Sequence, residues 1–244
     1  MLVFQAKRLA NIRLITFDLF DTLYKPLQPI SRTYAQPLWD HGLAISEAAV
    51  AASFLKAFKH TRTEYPNYGK AFQLTSTQWW KLVIQRTWTD AGIDLQLHPL
   101  LDNAVPTVIK HFATGAGYTV FPEVPKVLKY IRRKGIKMGV ITNMDDSAEV
   151  ILKHLGIREY FDFVLKSITV EIEKPDQRIF EMALAAVSVP AYDALHIGDS
   201  VFYDFEPAKK CGMEALVVCR DKNKNECRMG THFIDSLECI TKML

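Results

Sequence analysis

Cysteine is scarce. Only four of the 244 residues are Cys, and Cys211, Cys219, Cys227 and Cys239 all fall near the C-terminal end. They lack the close pairing of zinc ribbons and redox motifs, so four free thiols in a reducing compartment are expected. No apolar run approaches the roughly 18 residues of a membrane span, so no membrane contact is expected. The N-terminus has no apolar stretch of the kind a secretory signal carries. Lys7, Arg8 and Arg13 precede Asp18 without an acid among them, which weakly resembles a mitochondrial leader. Leu14 to Phe17 nevertheless reads as a core strand and leaves little to remove, so a cytoplasmic protein is expected. An excess of one charge is also missing: 30 basic against 27 acidic residues leave +3. No stripe of Lys and Arg interleaved with aromatics is present, which excludes nucleic acid as an expected partner.

The chain does have the ordinary globular balance of 49% hydrophobic and 23% charged residues, with enough length to bury a real core. Short β-prone apolar runs recur at Ile12 to Phe17, Lys137 to Ile141, Phe161 to Leu165, Ala194 to Ile197 and Ala215 to Val218. Helical patterns at Pro125 to Lys134, Ser147 to His154 and Asp176 to Val187 separate the later runs. Strands alternating with helices predict right-handed βαβ units and a doubly wound parallel α/β sheet. Residues 26–120 break the alternation and read as helices. Val50, Phe54 and Phe58 form one stripe, and Trp80, Ile84 and Trp88 a second, begun by the polar Thr75 to Thr77. Three of the four tryptophans lie in that second helix, and packing within a helical bundle is favoured over a ligand cage. The expected organisation is an α/β core of residues 1–25 and 121–244, with a helical domain of residues 26–120 inserted after the first strand.

Ligands of an open parallel sheet bind beyond the carboxyl ends of its strands. Asp18 and Asp21-Thr22 follow the first predicted strand, Thr142-Asn143 the second, Lys174-Pro175 the third after a loop, and Gly198-Asp199 with Asp204 the fourth. One Asp after a strand is more often a helix cap than a catalyst. Four such segments converging on one edge suit magnesium-dependent phosphoryl transfer, in which carboxylates hold a hard cation while Lys and Thr contact phosphoryl oxygens.

In these residues the chain resembles the haloacid dehalogenase (HAD) superfamily. Phe17-Asp-Leu-Phe-Asp-Thr-Leu23, Ile141-Thr-Asn143, Glu173-Lys-Pro-Asp176 and Gly198-Asp-Ser-Val-Phe-Tyr-Asp204 look like its four motifs, and the helical insertion looks like its C1 cap. The resemblance implies a HAD-like, Rossmann-like core and a phosphorylated small molecule as substrate or ligand. It implies Asp18 as a nucleophile that forms an aspartyl-phosphate, Thr142 as a phosphoryl hydrogen-bond donor and Lys174 as the cation between them. Mg²⁺ would be held by Asp18, the main-chain carbonyl of Phe20 and Asp199, with Asp204 either in the metal site or orienting Lys174. Thr22, Asn143 and Tyr68 are the expected substrate contacts, Tyr68 because the Tyr65 to Gly69 loop of the cap is expected to face the active-site cleft.

Three positions depart from the pattern. The superfamily's phosphatases carry a general acid two residues after the nucleophile, and here that residue is Phe20, which cannot transfer a proton. Asp21 and Glu171 stand where relatives usually carry Gly. Glu171 is expected to be a solvated loop residue. Three functions follow from Phe20: a phosphatase restricted to good leaving groups such as acyl or aryl phosphates, a non-catalytic phosphoryl-ligand or interaction protein, and a dehalogenase. Asp199 argues against the last, because halide displacement has no need of a magnesium ligand.

Overall fold

The computed structural model describes Leu9, residues 11–220 and residues 232–244. In chain order the main elements are β1 (Leu14–Phe17), β2 (Tyr24–Pro26), α1 (Ile30–Asp40), α2 (Glu47–Glu64), α3 (Ser76–Asp90), α4 (Val105–Ala113) and β3 (Tyr118–Val120). They continue with α5 (Val124–Arg133), β4 (Lys137–Thr142), α6 (Ser147–His154), β5 (Phe163–Lys166), α7 (Arg178–Val187) and β6 (Ala194–Gly198). The last are α8 (Glu206–Lys210), β7 (Glu214–Val218), β8 (Phe233–Ile234) and α9 (Ile240–Met243).

Six strands form a parallel sheet in the order β5-β4-β1-β6-β7-β8. In register, Leu14 faces Lys137 on one side and Ala194 on the other, and Phe17 faces Val140 and Ile197. The strand order runs outward from β1 in both directions, so the chain reverses there and opens crevices at the carboxyl ends of β1 and its two neighbours. Both faces are covered, which is why the strands read as continuous apolar runs. On one face Leu14, Ile141, Ala194 and Ala215 pack with Ile179, Phe180 and Ala183 of α7 and Ala208 of α8. Ile15 and Phe17 point the other way by the period of two and are equally buried. The amphipathic α5 packs on β4 and buries Val127, Leu128 and Ile131. Gly139 is demanded here by contact, since a Cβ would lie 2.1 Å from the ring of Phe163 on the neighbouring strand.

The chain divides into two compact units. An α/β unit holds residues 1–25, 119–144 and 155–244, and a helical unit holds residues 26–118 and 145–154. The segment 145–154, which the sequence pattern assigned to the core, therefore clusters with the helices. A two-stranded ladder of β2 and β3 forms where the chain leaves and re-enters the α/β unit.

In the helical unit the buried stripe of α2 is Val50, Ser53, Ala57 and Thr61, while Phe54 and Phe58 are only half-buried. The small side chains let α2 and α3 approach closely, and the larger rings fill the flanks. In α3 the fully covered tryptophans are Trp79 and Trp88, not Trp80, with Val83, Ile84 and Thr87 completing the face. Thr75 starts this helix with a capping box closed by Gln78. Every tryptophan N–H has a partner: Trp39 donates to Ile45 O, Trp79 to Tyr65 O, Trp80 to Asp145 Oδ2 and Trp88 to Tyr34 O. Rings with satisfied N–H groups, met edge-on or tilted by their neighbours at Trp79 and Trp80, suit packing.

Among the described residues no helix is long and apolar enough to cross a membrane. Cys211 and Cys239 carry free thiols. Cys219 is disulfide-bonded, which corrects the expectation of four free thiols: wide sequence spacing does not limit approach in a folded chain. Cys227, Lys7 and Arg8 lie outside the described residues.

Candidate active site

Asp18 follows β1, Thr142 ends β4, and Asp199 follows β6. These three strands are neighbours in the sheet, so the topology alone brings the residues to one edge. Lys174 arrives from the loop before α7 and is 2% exposed. Its Nζ donates to Asp18 Oδ1 and to Asp204 Oδ1, each at 2.6 Å. Asn143 braces this loop. Its Nδ2 donates to Lys174 O at 2.8 Å and its Oδ1 accepts from Lys174 N at 2.7 Å. Asn143 thus holds the lysine main chain. The Tyr24 hydroxyl reaches Met144 Sδ at 3.1 Å and ties the segment after β1 to the segment after β4.

Asp204 was expected either in the metal site or orienting Lys174. Its Oδ1 accepts from Lys174 and lies 3.1 Å from His196 Nε2, while its Oδ2 accepts from Ser200 N at 3.1 Å. Both oxygens are committed to protein donors, so Asp204 orients Lys174. Its carboxylate lies against Gly198, where a Cβ would come within 2.1 Å of Asp204 Cγ. That clash explains the glycine before Asp199.

The two carboxylates that share Lys174 differ in proton affinity. For Asp18, burial is the largest influence and, with repulsion from Asp204 and Asp199, outweighs Lys174 and pushes the carboxyl up to about 7. Burial works the same way on Asp204, but Lys174 and the His196 contact overcome it and hold that carboxyl well below its usual range. Burial alone would depress Lys174, yet the two carboxylates hold its ammonium above its ordinary value. The His196 ring is pushed down by burial despite the pull of Asp204.

Three carboxylates against one ammonium leave an excess of negative charge at this edge. Among the described residues no group of three or more His, Cys, Asp or Glu side chains is arranged to hold a metal. The residues present, Asp18, Asp199 and the carbonyl of Phe20, are hard oxygen donors with at most two carboxylates. That set fits Mg²⁺, which takes one or two carboxylates and keeps several waters, and it does not fit a metal that needs a closed cage.

The Phe20 ring packs edge-on against Tyr24 with centroids 6.4 Å apart. Asp21 and Glu171 both adopt left-handed backbone, with φ of 55° and 58°. Left-handed φ is what glycine supplies without penalty. The two positions where the family resemblance leads one to expect Gly therefore have a glycine-like conformation with other side chains. Glu171 is exposed, as a solvated loop residue should be. Thr22 is fully buried, and its Oγ1 has no hydrogen-bond partner among the described residues. Its carbonyl accepts from Arg220 at 2.7 Å. Arg220 also pairs with Glu123 and lies 3.7 Å over the Phe121 ring. This strap on the segment after Asp18 had no sequence signal, because its parts lie nearly 200 residues apart. Tyr68 lies in the helical unit with its ring 5.0 Å from Trp79 and 6.1 Å from Trp80, in a turn where Asn67, Tyr68 and Gly69 all have positive φ.

A family model described as haloacid dehalogenase-like hydrolase matches residues 12–212. The chain belongs to that family. It is 37% identical over 210 residues to the mouse haloacid dehalogenase-like hydrolase domain-containing protein 3, covering 85% of this chain and 82% of the relative. Among solved structures it is similar to a 2-haloacid dehalogenase from Pseudomonas syringae pv. Tomato DC3000, with a TM-score of 0.62 at 27% identity, covering 95% of this chain and 97% of the other. A HAD phosphatase from Thermococcus onnurineus shares the fold with a TM-score of 0.63 at 21% identity, covering 95% and 97%. One HAD scaffold thus carries both halide and phosphate chemistry, so membership of the family leaves the reaction to be argued from the site.

Proposed function

We propose that this HAD-family hydrolase is a Mg²⁺-dependent phosphatase acting in the cytoplasm on small phosphorylated molecules, restricted to acyl or aryl phosphates whose leaving groups depart without protonation. The observation that carries the reading is the buried line Asp18–Lys174–Asp204, with both links at 2.6 Å, beside a phenyl ring where a general acid would stand.

Asp18 attacks phosphorus, the bond to the leaving oxygen breaks with its electron pair, and an aspartyl-phosphate forms. Lys174, held by Asp204, keeps positive charge beside the nucleophile and the incoming phosphoryl oxygens, and the Thr142 hydroxyl is available to donate to one of them. Asn143 keeps the Lys174 main chain in place while charge redistributes. Mg²⁺, held by Asp18, Asp199 and the Phe20 carbonyl, would neutralise the phosphoryl group and lower the proton affinity of Asp18. Water then attacks phosphorus, releasing phosphate and restoring the carboxylate. Phe20 can assist neither proton transfer, an effect commonly worth about 10²–10⁴ in rate. Turnover should therefore depend on leaving groups that are stable as anions.

The same phenyl ring favours a second reading, a phosphoryl-ligand binder that does not turn over. A panel of acyl, aryl and alkyl phosphates, with and without Mg²⁺ and beside Asp18→Asn, decides between them. Mg²⁺-dependent hydrolysis of the acyl and aryl phosphates that disappears in Asp18→Asn is expected. Binding of a phosphate analogue without hydrolysis of any substrate would replace the phosphatase with the binder.

A further inference from the structure

Thr16 lies on β1 two residues before Asp18 and faces His196 of β6 in register. Both are fully buried. The Thr16 hydroxyl is 2.8 Å from His196 Nδ1, and His196 Nε2 is 3.1 Å from Asp204 Oδ1. The edge-on ring of Phe180, with centroids 4.9 Å apart, closes one side of the imidazole. Neither Thr16 nor His196 takes part in the reaction proposed above. A buried imidazole is nonetheless costly unless both nitrogens are satisfied, so its place directly behind Asp204 needs a reason.

We propose that His196 is a positioning residue: locked by the Thr16 hydroxyl in the tautomer protonated on Nε2, it fixes the Asp204 carboxylate that aims Lys174 at Asp18. The assignment of protons follows from what each group can do. Asp204 already accepts from Lys174 Nζ and Ser200 N, so as an ionised carboxylate it can only accept from His196 as well. Nε2 must then carry the hydrogen, and in the neutral ring that burial favours Nδ1 accepts and the Thr16 hydroxyl donates. The line reads Thr16 to His196 to Asp204, met from the other side by Lys174, which also donates to Asp18. Thr16, His196 and Lys174 each donate to an acceptor along it. Without the imidazole, Oδ1 of Asp204 loses one of its two donors and the carboxylate is free to turn. Lys174 can then follow Asp204 and leave Asp18 without its counter-charge.

The kinetic arm of the test rests on the phosphatase reading, and the spectroscopic arm does not. Histidines labelled with ¹⁵N report the His196 tautomer through long-range ¹H–¹⁵N correlations in the wild type and in Thr16→Val. Hydrolysis of p-nitrophenyl phosphate with Mg²⁺ is followed in wild type, His196→Leu and His196→Gln, whose amide N–H can stand in for Nε2–H. The Nε2–H tautomer is expected in the wild type and its loss or mixing in Thr16→Val. His196→Leu should lower kcat about tenfold or more with KM nearly unchanged, and His196→Gln should recover most of the loss. An Nδ1–H tautomer overturns the proposal, as does an equal fall in kcat for Leu and Gln or an effect confined to KM. If His196→Leu does not fold, the wild-type tautomer and the kcat of His196→Gln decide in the same way. If the wild type shows no turnover, the phosphatase reading fails, while the tautomer in wild type and Thr16→Val still supports or overturns the positioning role.

Discussion

The two compact units bury polar groups in different ways. In the helical unit most are closed one at a time on main-chain carbonyls: Trp88 on Tyr34 O, Trp79 on Tyr65 O and Thr87 on Val83 O. In the α/β unit Thr16, His196, Asp204, Lys174 and Asp18 close on one another. A group satisfied by backbone can be altered with a local penalty. In a shared network of charges, removing one member leaves the others uncompensated in a low dielectric. Large changes in the helical unit should therefore appear as lost packing, and those in the α/β unit as lost packing together with lost chemistry.

Lys174→Met is the sharpest way to break this contrast. It leaves Asp18 and Asp204 buried side by side without their cation, and removing one partner of a buried pair costs about 3–5 kcal/mol. Denaturant melts should show that loss, and aryl-phosphate hydrolysis should fall to background. Trp88→Ala should lower stability by a similar amount, about 3–5 kcal/mol, for the opposite reason: a cavity in an apolar core. A loss well below this for Trp88 would mean that the helical unit repacks readily.

Phe20→Asp sharpens the contrast by adding chemistry at an unchanged backbone position. A gain in kcat of roughly tenfold or more is expected for alkyl phosphates, and much less for aryl phosphates, since general-acid benefit grows with leaving-group basicity. An equal gain for both would point to a shifted nucleophile or metal instead.

Glu123→Gln tests the Arg220 strap. Burial works to raise the Glu123 carboxyl, but the Arg220 hydrogen bond and charge outweigh it and hold the carboxyl below its ordinary 4.5. A depressed acid stabilises the folded state above its unfolded value and loses that contribution as pH falls through the folded one. At neutral pH the variant should lose about 1.5–3 kcal/mol, typical of a hydrogen bond to a charged group. The gap between the two proteins should stay open down to about pH 4.5 and close below it. A gap that does not depend on pH would assign the loss to packing. Thr75→Ala should have the smallest effect, about 1 kcal/mol from the lost helix cap, read as a modest fall in Tm with the α/β network intact.

Much of the site was legible because its markers sit at strand ends. Asp18, Thr142 and Asp199 each follow or end an apolar run, and a parallel sheet whose strand order reverses beside β1 must bring them to one edge. Lys174 was readable through its motif. The helical stripes were readable as helices but off by one residue in α3 and by residue type in α2, because periodicity reports a face and not which member of it meets a neighbour. Small residues such as Ser53 and Ala57 carry little hydrophobic signal even where they occupy the centre of a contact. Membership of residues 145–154 in the helical unit had no sequence signal at all, since α6 follows β4 as a core helix would.

Readable from the residues alone were the alternation of strands and helices, the inserted helical block, the four polar strand-end segments and the absence of a proton donor at position 20. These depend on local composition and spacing, which one chain displays directly. Only the folded chain shows that Asp204 is bound to Lys174 and His196, that Asn143 braces the lysine loop, and that Thr16 and Arg220 lie among the groups supporting the site. Those pairings join residues up to 198 positions apart. Their energies depend on burial and hydrogen-bond direction, which exist only after β1, β4 and β6 have been laid side by side.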